Sequence, residues 1–103
     1  MKKAYKRMMK FIGKKEYEIR LEWINKRTYG DIDFSTKIIR INLPLFVSEV
    51  YIHEYLHYRG INSEKTTEMG TEYFLKRMLV KQIKKLAKKV MEKGGEDDKD
   101  NYM

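Results

Sequence analysis

Ser48-Glu49-Val50-Tyr51-Ile52-His53-Glu54-Tyr55-Leu56-His57-Tyr58-Arg59-Gly60 is the stretch on which the reading of this chain turns. It holds both histidines of the sequence, four residues apart, with a glutamate directly after the first. An α-helix repeats every 3.6 residues, so positions 53 and 57 share a face and both imidazoles can reach one metal ion. Glu54 projects about 100° further round, where it can hold a water bound to that metal. Two neutral nitrogen ligands beside a carboxylate base are what a zinc hydrolase requires. The competing readings are a surface helix with two solvated histidines and a structural metal site; the second has no need of Glu54. The motif helix is predicted from about Leu45 or Val47 to Arg59, with Gly60 as its stop.

Working outward, 103 residues specify one domain with a small core. Cysteine is absent, which excludes disulfides, thiolate metal sites and cysteine nucleophiles and leaves His, Glu and Asp as strong ligands. No apolar run reaches the roughly 18–20 residues of a membrane span. The basic N-terminus lacks the apolar core and cleavage site of a signal peptide, so a soluble, cytoplasmic protein is expected. The formal charge is +8 with 37% charged residues. Lysine spread over solvated helix faces, as in ion-paired thermophile surfaces, is the ordinary reason for such a balance. Nucleic acid or an anionic surface is the other partner class it favours.

Residues 2–12 read as a short basic amphipathic helix, with Tyr5, Met8, Met9 and Ile12 at helical spacing and Gly13 ending it. Such a helix can lie on a membrane, but packing against the domain is the expected use here. Residues 16–24 alternate, with Tyr17, Ile19, Leu21 and Trp23 on one face, and are predicted as a half-buried strand. Asn25-Lys26-Arg27 is a turn, 28–34 a second strand, Ser35-Thr36 a tight turn and 37–43 a third strand closed by Pro44. Short consecutive strands joined by tight turns should pair antiparallel. After a turn at 60–62, Asn62 or Ser63 caps one long helix over 64–92. Its inward stripe is predicted as Glu68, Glu72, Leu75, Leu79, Ile83, Leu86 and Val90, opposite Lys76, Arg77, Lys81, Lys84, Lys85, Lys88 and Lys89. Gly94-Gly95 should end it. The expectation is therefore an α+β fold over 1–93: N-terminal helix, three-stranded mostly antiparallel sheet, motif helix and long C-terminal glutamate helix. A flexible acidic tail follows at 94–103.

A catalytic zinc takes a third protein ligand and keeps one position for water. With no further His and no Cys, a carboxylate or a tyrosine must supply it, and the last helix offers Glu64, Glu68 and Glu72. Helices joined by so short a link run roughly antiparallel, so His57 should face about residue 65 and His53 about residue 69. Glu68 lies between them on the apolar stripe and is the preferred ligand. Glu64 sits at the solvated helix start, where the helix dipole already favours an acid. Glu72 is better placed to hydrogen-bond a ligand histidine.

On the pentad His53–His57 and the glutamate helix that follows, the chain resembles the gluzincin metallopeptidases. It looks most like the soluble archaeal minigluzincins, which are similar to the catalytic cores of CAAX prenyl protease and HtpX-type membrane peptidases. The likeness covers about residues 16–92. It implies a small zincin-like fold, zinc held by His53, His57 and a glutamate, and Glu54 as base and acid in hydrolysis of a peptide or protein substrate. It also implies a strand above the cleft that pairs with extended substrate, here 37–43 or 28–34. Many membrane relatives carry an aspartate four residues after the ligand; counted from Glu68, Glu72 stands there. SprT-like proteases, which usually use a third histidine, fit less well. Tyr73, Tyr58 and Arg77 are candidates for stabilising the oxyanion. The acidic tail could enter a cleft, its own or a neighbour's, and hold the enzyme latent or self-associated. The alternative function is a basic nucleic-acid-binding module with a non-catalytic or structural metal site.

Overall fold

The structure is a computed structural model describing residues 2–101, with side chains described for 2–95. Among these residues the order is α1 (Lys2–Gly13), β1 (Glu18–Leu21), β2 (Gly30–Asp33), β3 (Ile38–Ile41), α2 (Leu43–Tyr58), α3 (Glu64–Arg77) and α4 (Val80–Asn101). The fold is a small α+β arrangement of four helices and a three-stranded mixed sheet. No described helix is long and apolar enough to cross a membrane.

The strand order is β1-β3-β2. β2 and β3 form the expected hairpin, antiparallel with Asp31 opposite Arg40. The turn between them is fastened by Asp33, whose Oδ1 accepts from the backbone N–H groups of Ser35 (2.9 Å) and Thr36 (3.2 Å) and from the Ser35 hydroxyl. These bonds hold its carboxyl down at about 2, the Ser35 hydroxyl contributing most. β1 departs from the expected antiparallel pairing: it runs parallel to β3, Glu18 beside Ile38. The reason is the segment 22–29, too long for a tight turn. It carries the chain past the place where β3 later inserts, so β1 and β2 never pair. As the central strand, β3 has both edges occupied and cannot accept an extended peptide as its 37–43 reading required; β2 keeps an open edge.

The 22–29 segment is tied to α2 by a single buried side chain. Asn42 is fully buried and its amide nitrogen donates to the Asn25 carbonyl at 2.8 Å and the Thr28 carbonyl at 2.9 Å. Its Oδ1 accepts from Leu45 N–H, capping α2, and Pro44 sits in the first turn, where its missing N–H is no loss. The sheet itself adds little core. Ile19, Leu21, Ile32 and Ile41 are all more than 40% exposed, so 16–24 is not the half-buried strand its alternation predicted. The core instead lies between helices. Leu45, Ser48, Ile52 and Leu56 of α2 meet Ile83 and Ala87 of α4 and Thr67 and Thr71 of α3. The Ser48 hydroxyl donates to the Ile83 carbonyl at 3.0 Å.

The single helix expected over 64–92 is two. Met78 takes extended backbone, φ −73° and ψ 142°. Lys26 Nζ donates to the Lys76 carbonyl (3.0 Å) and to that of Met78, satisfying the end of α3. The Gln82 side chain accepts from Leu79 N–H at 2.8 Å and starts α4. Leu79 is thereby 57% exposed, off the predicted stripe. At the other end α4 continues through Gly94 and Gly95 to Asn101, so the glycine pair does not stop it. Neither glycine takes positive φ, and without that a glycine weakens a helix by about 1 kcal/mol rather than ending it. α1 forms as predicted but does not pack on the domain: no residue of it is buried, and its recorded ring contact is Phe11 with Tyr17.

Candidate metal centre

His53 and His57 sit one helical step from the buried Ile52 and Leu56, which makes them half-buried, 22% and 27% exposed. The end of α2 then fixes one imidazole. Gly60 adopts φ +104°, a conformation open to glycine, and closes the helix with Gly60 N–H to the His57 carbonyl (3.0 Å) and Ile61 N–H to the Leu56 carbonyl (3.1 Å). This turn aims the Ile61 carbonyl back at His57, whose Nδ1 lies 2.7 Å from it. With Nδ1–H donating there, Nε2 is left as the free lone pair, the tautomer a metal ligand needs. The same bond is the main reason the His57 pKa is raised, with Glu64 and Glu54 adding to it.

The third group comes from the first residue of α3. Ser63 caps the helix, its hydroxyl accepting from Thr66 N–H at 3.3 Å. Glu64 then places Oε1 2.7 Å from His57 Nε2 and Oε2 3.2 Å from His53 Nε2, while the two Nε2 atoms are 3.2 Å apart. A tetrahedral ion with bonds near 2.05 Å separates its donors by about 3.3 Å. The two imidazole nitrogens stand near that spacing, and the Glu64 carboxylate spans the gap in front of them with one oxygen towards each. Among the described residues, His53, His57 and Glu64 are the group that could hold a metal.

The structure thus brings Glu64, not Glu68, to the histidines. The difference comes from which face α3 turns to α2. That face is built from Thr67, Gly70 and Thr71 rather than from leucines. Gly70 permits close approach, since a Cβ there would lie 3.0 Å from Leu56 Cδ1. Glu64 precedes Thr67 by three residues and Thr71 by seven, so it shares their face. Glu68 is rotated away into a cleft beside His53, walled also by Tyr29, Glu49, Met69, Glu72 and Leu75. Neither Glu68 nor Glu72 hydrogen-bonds a histidine among the described residues; a backbone carbonyl has that task. Glu64→Ala should therefore lower zinc affinity about a hundredfold or more, one ligand's share of the roughly 10–16 kcal/mol that four ligands supply. Glu68→Ala should leave zinc stoichiometry intact. Metal titration of the two variants checks this, and the opposite order would return the ligand role to Glu68.

Glu54 is exposed and makes no hydrogen bond among the described residues. Of the oxyanion candidates, Arg77 lies over the Tyr73 ring at 4.3 Å and Tyr58 is 83% exposed. Tyr29 was not anticipated, and nothing in its sequence context marks it. It precedes β2, enters the cleft and donates to the Glu49 carboxylate. Burial, then that bond, pushes its pKa to about 12, so it stays a neutral donor. The reading of the tail as a latency device rests on side chains outside the described residues. No family model, curated protein or solved structure matches the chain.

Proposed function

We propose that this chain is a small zincin-like metallopeptidase of the gluzincin kind, with His53, His57 and Glu64 holding zinc and Glu54 acting as general base and acid. The observation that carries the reading is the convergence of two imidazole nitrogens and the Glu64 carboxylate on one point, close enough to share a metal ion. A carboxylate stands beside them on the same helix. Zinc bound there would polarise a carbonyl and acidify water. Glu54 takes the proton of the attacking water and delivers it to the leaving amine. The open edge of β2 supplies backbone groups along which an extended peptide can lie, and Tyr29, the residue before β2, lines the cleft beside His53.

Incubation of the purified chain with an unfolded protein substrate tests this. Cleavage should appear with about one equivalent of zinc, stop on chelation and return when zinc is restored. Metal-independent binding to nucleic acid that weakens steeply with salt, without cleavage, would favour the alternative of a basic binding module.

A further inference from the structure

We propose that α1 is a docking element for an anionic lipid bilayer, lying in the plane of the surface with its apolar side inserted. The inference is independent of the metal centre. At 100° per residue, Ala4, Tyr5, Met8, Met9, Phe11 and Ile12 fall within an arc of about 160°. Lys2, Lys3, Lys6, Arg7 and Lys10 occupy the remaining arc, and no acidic residue occurs before Glu16. The apolar side is uncovered: Tyr5 is 62% exposed, Met8 60%, Met9 52% and Ile12 56%. Leaving that side in water is unfavourable, so it calls for a cover.

The charge pattern selects the cover. Two α1 helices paired through their apolar sides would have basic residues on both margins of the seam with no acidic partner, and the chain as a whole carries +8, so self-association through this helix is opposed by charge. A bilayer with anionic headgroups offers negative charge at the level of the lysines and hydrocarbon beneath it, the same order the helix presents across its section. Twelve residues span about 18 Å, too short to cross the hydrocarbon and suited to lying on it. Methionines adapt their shape to a disordered acyl surface, and Tyr5 suits the headgroup level.

The full chain should co-sediment with vesicles of phosphatidylcholine containing about 30% phosphatidylserine, and far less with phosphatidylcholine alone or at high salt. Met8→Glu with Ile12→Glu should weaken this binding about tenfold or more. Both positions are exposed, so circular dichroism and zinc content should match the parent. Met9→Trp gives a second readout, a blue-shifted emission component that appears only with anionic vesicles. Three results would overturn the proposal: no vesicle binding, binding unaffected by the double substitution, or a dimer in lipid-free solution that the double substitution dissociates. The same holds if duplex DNA competes fully with vesicles while the Met9→Trp emission never shifts, since the attraction would then be charge alone.

Discussion

Glu54→Gln should reduce peptide cleavage by about 10²–10⁴-fold, the usual contribution of a positioned general base, while leaving about one zinc per chain. The substitution keeps size and shape and removes the group that takes a proton. Because Glu54 is exposed and makes no hydrogen bond among the described residues, folding has little stake in it, and the thermal midpoint should move little. The histidine and Glu64 donors are untouched, so metal retention is the internal control. Steady-state assays on the zinc-loaded variant, paired with elemental analysis, decide the matter. Activity within a few-fold of the parent would remove Glu54 from the chemistry. Loss of metal would make it a ligand instead. A loss of kcat with unchanged KM is the expected split, because the proton moves only once substrate is bound.

What the sequence made legible, and what it hid, follows from the range of the interactions involved. The spacing of four between His53 and His57 fixes their shared face whatever surrounds the helix, and Gly60 after the last turn marks its end. The hairpin 30–41 was legible for the same reason, since its turn is built from neighbours. The strand order was hidden because the 22–29 segment is fastened by Asn42, a residue fourteen or more positions downstream that no local pattern singles out. The helix break at Met78–Leu79 was hidden because the apolar period runs through it unbroken, while the bond that ends α3 comes from Lys26, fifty residues earlier. The approach of Glu64 to the histidines was hidden because the inner face of α3 is not its leucine face. The apolar period points to Leu75 as the inner face of α3, but two threonines and a glycine form it, because small residues let α2 come close. Small residues at helical spacing, Thr67, Gly70 and Thr71, are the local signal in the sequence for this face, and Glu64 lies on it.

Zinc should raise the thermal midpoint by about 10–20 °C at a hundredfold excess over Kd, and the rise should grow with pH. The size follows from mass action, about 2.7 kcal/mol for a ligand that binds only the folded chain, and from the shift of about 4–8 °C per kcal/mol in a domain of this size. The pH dependence follows from His57. Without metal, its pKa lies above the ordinary value, first because of its bond to the Ile61 carbonyl and then through Glu64 and Glu54. A group raised on folding contributes stability that is complete below its unfolded pKa, about 6.5, and is lost as pH rises through the folded value. The metal-free chain should therefore become less stable from about pH 6 upward. Zinc requires the same imidazole neutral, so its affinity strengthens over that window. The two stability curves should separate as pH rises, with chelator lowering the midpoint most at the alkaline end. Melting curves with zinc and with chelator at about pH 6, 7 and 8 measure both slopes. Curves that stay parallel would mean that the metal does not displace the His57 proton, and so does not bind at this nitrogen. His57→Gln supplies the matching control: it removes the titrating group and one donor together, so the slope without metal and the gain with zinc should both be lost.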